Sequence, residues 1–385
     1  MVVPAGKYLF KGPIHLKSNI NLYLSENARL EFSTNRSDYL PNVPYRREGT
    51  ELYNYSPFIY AYMATNIAIT GKGAIDGNAK NSFATWKPNQ NKDQLNLRQM
   101  GNDGVPVHER VFGNGHFLRP GTILPYGCKN ILIDWITIYD APFWVIHLAL
   151  STNVTVRNVV VNSWNPNNDD VDPDGAVNVL IENCTFNCGD NAVAIKAGRD
   201  QDGWRIGQPT ENVVIRNCTM NSKANGLCIG SEMSAGVRNV FMENCRVGEA
   251  NSTIYFRANL DRGGVVENIY VRDITVERVN TAVIRFDSNY KGHRGNNFPP
   301  IFRNFFIGNV TCQLADHYGI YAVGVEGTPI SNVTLKDVTI AKALIPAFTL
   351  HIRDFKLLNV KTNGMPVSEV NEYGEQPNTD KKITW

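Results

Sequence analysis

The sequence predicts an all-β chain wound as a single-stranded, right-handed parallel β-helix. Three observations predict it: short alternating runs rich in β-branched residues, an Asn that heads a recurring motif, and almost no 3.6-residue periodicity. The motif reads Asn, apolar, any, apolar, any, then Asn or Asp. It stands at Asn130, Asn153, Asn178, Asn212 and Asn239, returns at Asn268, Asn304 and Asn332, and is degenerate near Asp354. Successive starts are 23, 25, 34, 27, 29, 36, 28 and 22 residues apart. A propeller needs about 40–50 residues per blade, and a leucine-rich solenoid needs its own Leu spacing. Variable spacing then means that loops of different length leave a constant coil. One coil cannot bury its apolar face alone, so stacked neighbours supply the core.

Composition agrees with a folded solenoid. Of 385 residues, 43% are hydrophobic and 19% charged, which excludes a disordered chain. A formal charge of +2 excludes a globally basic nucleic-acid binder, and no apolar run is long enough for a membrane helix. The repeat predicts one β-helix domain over residues 1–385. Residues 76–120 form a long insertion that carries Trp86, Arg98, His108, Arg110 and His116. Loops of that length are usually functional, so it is expected to close one end of a groove and favour an exo-acting pocket. Met1–Gly6 shows no signal peptide, yet strand character begins at the second residue. A native segment is therefore expected before it.

Seven cysteines are an odd number, against a complete disulfide framework. Cys184, Cys218 and Cys245 each follow the motif's second Asn, so interior ladders of thiols and amides are expected. Cys184 and Cys188 lack a second pair at zinc spacing. No metal and no cofactor are expected.

Stacked coils lie about 4.8 Å apart, so residues one period apart become neighbours. Asp169 and Asp190 are 21 residues apart, close to one coil. Two adjacent carboxyls are the minimum for acid/base glycoside hydrolysis, and their closeness should raise one pKa, keeping the acid protonated. Asp172 and Asp174 read as turn residues. Counted from each repeat Asn, Asp169, Asp190, Ala224, Arg257 and Arg285 all fall in the second half of their coils, on one expected cleft wall. Lys196, Arg199, Lys223, Arg257 and Arg285 would make that wall positive and suit an acidic sugar. Phe143-Trp144 reads equally as a sugar platform or a core cap, and His293 with Arg294 belongs to a loop that could border the cleft.

The runs Asp169–Gly175, Gly189-Asp190-Asn191, Ala194–Asp200, Ile229–Ser234 and Arg262–Asn268, with the opening Pro4–Tyr8, resemble glycoside hydrolase family 28, the polygalacturonases. The resemblance runs from about residue 2 to 362. It implies a pectin-lyase-like β-helix, inverting hydrolysis of an acidic pectic polysaccharide or oligosaccharide, and a secreted or periplasmic setting. In the family's terms Asn167-Asn168-Asp169 supplies a base and Asp190 the general acid. The second water-activating Asp is replaced by Asn191, an amide that cannot act as base but can orient water. Either Asp169 carries that role alone, the chain is an inactive homologue, or Asp was exchanged for Asn to trap a complex. The family's Gly-His-Gly aligns with Lys223-Ala224-Asn225, and its Arg-Ile-Lys with Tyr255-Phe256-Arg257, which resembles the rhamnogalacturonan hydrolase branch. Arg257 suits a carboxylate, and Tyr255 could stack on a sugar. Asn167, Lys196, Lys223, Asn225 and Arg285 complete the expected substrate contacts. A silent glycan-binding β-helix and, more weakly, a polysaccharide lyase compete with the hydrolase reading.

Overall fold

The computed structural model describes residues 1–368 except Gly292, His293 and Asn296; the expected His293 contact lies outside the described residues. The chain winds as a right-handed parallel β-helix whose coils each contribute three strands. One coil runs through Thr152–Arg157, Val160–Ser163 and Val171–Asp174, and the next through Val177–Glu182, Thr185–Cys188 and Val193–Ile195. Each strand pairs in parallel with its equivalent one coil away. Alternation sends every second residue inward. Val154, Val179, Val213, Val240, Ile269 and Phe305 therefore share one register and form a single buried column.

The repeat Asn has a conformational cause. Asn130, Asn153, Asn178, Asn212, Asn239, Asn268, Asn304 and Asn332 all hold φ between 51° and 62°, the left-handed region that Asn tolerates. Each amide donates to the Asn one coil earlier at 2.8–3.2 Å. The motif's second Asn does the same from Asn217 to Asn183 and from Asn244 to Asn217. These ladders stand on the surface or half-buried, not in the interior as expected, because a left-handed residue turns the chain at the corner of a coil. The thiols of Cys184, Cys218 and Cys245 are the interior partners of that corner, and all seven cysteines are free and buried.

Two features escaped the repeat. An antiparallel hairpin, Val43–Arg47 with Thr50–Asn54, turns through Glu48 and Gly49, both at positive φ, and takes Val111–Phe112 as a third strand. Two helices, Asn91–Asn102 and Asp200–Ile206, lie in the excursions that lengthen the repeat. Buried ion pairs tie these pieces to the coils. Arg46 grips Asp174 with two hydrogen bonds of 2.8 and 3.0 Å, and Arg110 meets Asp202 at 2.9 Å. Asp172 and Asp174 consequently lie within a strand and are fully buried, not in a turn: the arginine fork, supplied 128 residues away, satisfies Asp174. Phe143 and Trp144 are buried beneath Arg47 and Lys196, so they cap the core and do not face a ligand. No helix among the described residues is long and apolar enough to cross a membrane.

Candidate active site

The turns that lead into the third strand of successive coils build the site. Backbone bonds from Asp170 N to Asn191 O and from Ala192 N to Asn225 O set the register. Asp169, Asn191 and Asn225 therefore form one column, and Asp190 stands beside it, level with Asn168. The true coil neighbour of Asp169 is Asn191, 22 residues on, rather than Asp190. Asn191 Nδ2 donates to Asp169 Oδ2 at 3.1 Å and to Asp190 Oδ1 at 2.9 Å. Asn225 Nδ2 donates to Asn191 Oδ1 at 2.7 Å. One amide thus holds both carboxyls.

The two carboxyls differ in surroundings. Asp190 lines a cleft of about 690 Å³, whereas Asp169 is 2% exposed behind it. Burial first, and the Asp190 charge second, push Asp169 up to about 7, although Lys196, 3.9 Å away, opposes the shift. Asp169 is raised because it is cut off from solvent beside a second carboxyl. Asn167 Nδ2 reaches Asp190 Oδ2 at 3.3 Å, and its Oδ1 accepts from Lys87 and Arg119 at 2.7 Å each.

The insertion forms one wall of the cleft through Lys87 and the helix residues Gln94, Arg98 and Gln99. Arg98 and Gln94 fasten this helix to Glu48 at the hairpin tip. Trp86 packs on Phe83 instead of facing the cleft, and His108 is exposed beside Glu109. The opposite wall carries Arg257, Tyr290 and Lys291. Arg257 lies 4.6 Å over the Tyr290 ring and forms no salt bridge among the described residues.

Other expected contacts sit deeper. Lys196 is buried, bonded to Gly230 O at 2.7 Å and paired with Glu232 at 3.3 Å. Tyr255 is 2% exposed and packed under Arg285 at 4.1 Å, so its ring carries cations and does not stack on a sugar; Tyr290 is the aromatic that reaches the cleft. Arg285 is likewise buried. Lys223 is exposed over the Trp164 ring, and neither lines the cleft. Asn225 reaches Asn191, not the cleft.

Sequence reasoning missed Glu232. Burial would raise its pKa, but Lys196 and Arg199 hold it well below the usual range. It neutralises part of the expected positive wall, and its place in Ile229–Ser234 was the available signal. Lys87, Tyr290 and Lys291 were also missed, since isolated loop residues carry no periodic signal.

A parallel β-helix with one carboxyl in a cation-rich cleft and a second buried behind it is equipped for acid/base work on an anionic ligand. Residues 114–361 match the family model described as Glycosyl hydrolases family 28, and the chain belongs to that family. It is 37% identical to a hyperthermoactive exopolygalacturonase from Thermotoga maritima, with a TM-score of 0.86 over 93% of this chain and 83% of that one. A probable polygalacturonase from Vitis vinifera is 28% identical over 88% of this chain and 66% of its own length. An exo-poly-alpha-D-galacturonosidase from Dickeya chrysanthemi is 25% identical over 81% of this chain and 56% of its own. The chain thus spans less than two thirds of the length of these two curated relatives.

Proposed function

We propose that the protein is a glycoside hydrolase that cleaves a galacturonate-containing pectic chain from its end, with inversion. The observation that carries this is the carboxyl pair bound to one amide beside a cationic cleft. Asp190, facing the cleft, protonates the leaving oxygen. Asp169 is too buried to touch the sugar, so it acts by taking a proton from the attacking water, while Asn191, whose two N–H groups are both spent on the carboxyls, holds Asp169 and Asp190 in place. Arg257 binds a uronate carboxylate by its planar fork.

Sharing one amide brings the carboxyls nearer the spacing of retaining enzymes, about 5–5.5 Å, than of inverting ones, about 6.5–9.5 Å. Burial of Asp169 supports water attack, because a nucleophile must reach the anomeric carbon. The insertion wall, pinned through Glu48, supports action from a chain end, as does similarity to the Thermotoga exopolygalacturonase and the Dickeya exo-poly-alpha-D-galacturonosidase. The test is incubation with polygalacturonate and with rhamnogalacturonan, following reducing sugar, product size and the first anomer by proton NMR. Monomeric or dimeric products of inverted configuration, absent with Asp190→Asn, are expected. No release from any pectic substrate overturns the reading. Asn191 favours one alternative, a silent glycan-binding cleft, for which binding would persist without release.

A further inference from the structure

Asn191 raises a question that its hydrogen bonds answer. A side-chain amide has two faces of opposite character, and only the NH2 face suits two carboxyls. Turned round, its oxygen would face Asp169 Oδ2 and Asp190 Oδ1, acceptor against acceptor. With the NH2 group inward, Oδ1 is driven to the far side, where Asn191 is only 1% exposed and water cannot satisfy it. Asn225, on the next coil and 4% exposed, supplies the missing donor at 2.7 Å. The backbone fixes this meeting, because Ala192 N bonds Asn225 O and so brings the two side chains to equivalent places on adjacent coils.

We propose that Asn225 is a positioning residue for hydrolysis: it fixes the sense of the Asn191 amide, so that one NH2 group is held against both Asp169 and Asp190. This rests on the hydrolase reading. The two residues act as a unit. An Asp at 191 would keep the Asn225 bond but lose both donations and add a third carboxylate beside two others. Asn225 works through Asn191, so it affects the chemical step and not the sugar's grip.

The experiment is a double-mutant cycle of Asn225→Ala and Asn191→Ala, measured on whichever pectic substrate the wild type cleaves. Asn225→Ala is expected to lower kcat about 10- to 100-fold with KM nearly unchanged, and to have little further effect in the Asn191→Ala background. Equal losses in both backgrounds, or a change in KM alone, overturn the proposal while the hydrolase reading stands. A readout independent of turnover is the carboxyl carbon-13 titration of Asp169. Losing the fixed donor should move its midpoint upward in Asn225→Ala. An unmoved midpoint in folded protein overturns the pairing whether or not the wild type hydrolyses anything. Asn225→Gln, which retains a donor, checks against general misfolding: partial recovery of kcat is expected, and activity no better than Asn225→Ala counts against the pairing.

Discussion

Two Asn-bearing columns run along this molecule, and they use one device to opposite ends. The surface ladder from Asn130 to Asn332 repeats one residue, one φ and one hydrogen bond on coil after coil. The column Asp169–Asn191–Asn225 has the same one-coil stacking and the same amide-to-oxygen bonds, but it is buried and ends on a carboxyl. On the surface, water competes for every amide, so each bond contributes only about 1 kcal/mol net. In the buried column loss of water is what shifts Asp169, and the Asn191 bond only opposes that shift. Burial, not the hydrogen bond, turns a structural ladder into a site.

The largest effect should come from the buried end. Asp169→Asn removes the base, and kcat is expected to fall about 10²- to 10⁴-fold. Stability should move the other way. Because the folded protein holds the Asp169 proton up to about 7 while an unfolded Asp loses it near 3.8, ionisation costs the fold progressively as pH rises between those values. Urea unfolding should therefore show Asp169→Asn gaining up to about 4 kcal/mol at pH 8 and nothing at pH 3. A gain that grows toward acid would show that Asp169 is not a strained carboxyl.

A smaller effect tests whether the column's charge is matched across the cleft. Arg257→Gln should raise KM for a uronate-bearing oligomer about 10-fold or more and leave kcat within a few-fold. An unchanged KM would remove Arg257 from substrate recognition. The smallest effects belong to the surface. Asn178→Ala should cost about 1–2 kcal/mol in urea, and Asn178→Gly less, because Gly loses the same two ladder bonds but keeps the left-handed turn. If Gly costs as much as Ala, the ladder outweighs the turn, and the surface column is more like the buried one than described above.

The coil was legible because its causes are local. An Asn at φ near 55° followed by alternating β-branched residues writes each corner and strand into a few consecutive positions. The closeness of Asp169 and Asp190 was legible for the same reason, since they stand 21 residues apart where the coil takes 22. What was not legible depends on distant partners. Asp172 and Asp174 look like turn residues until Arg46, from a hairpin whose third strand lies some sixty residues on, is seen bound to Asp174. Tyr255 looks like a sugar platform until Arg285 covers it. Lys196 looks like a free cation until Glu232 meets it from the next coil. Alternation shows which way a strand residue points, but not which ion or ring will meet it there.

The surface ladder has a consequence for how such a chain can be lengthened. Each Asn restarts its coil from the same backbone conformation whatever the path since the previous one, whether 22 residues or 64. The ladder behaves as a ruler that is zeroed on every turn, so an excursion's length never accumulates as misalignment downstream. The excursions that carry the helix of the insertion and the hairpin can therefore vary in length while the coils bearing Asp169 and Asp190 keep their register, so long as Arg46 still reaches buried Asp174 and Arg110 still reaches Asp202. The walls of the cleft are in this sense variable in length yet pinned by their arginines to a fixed axle.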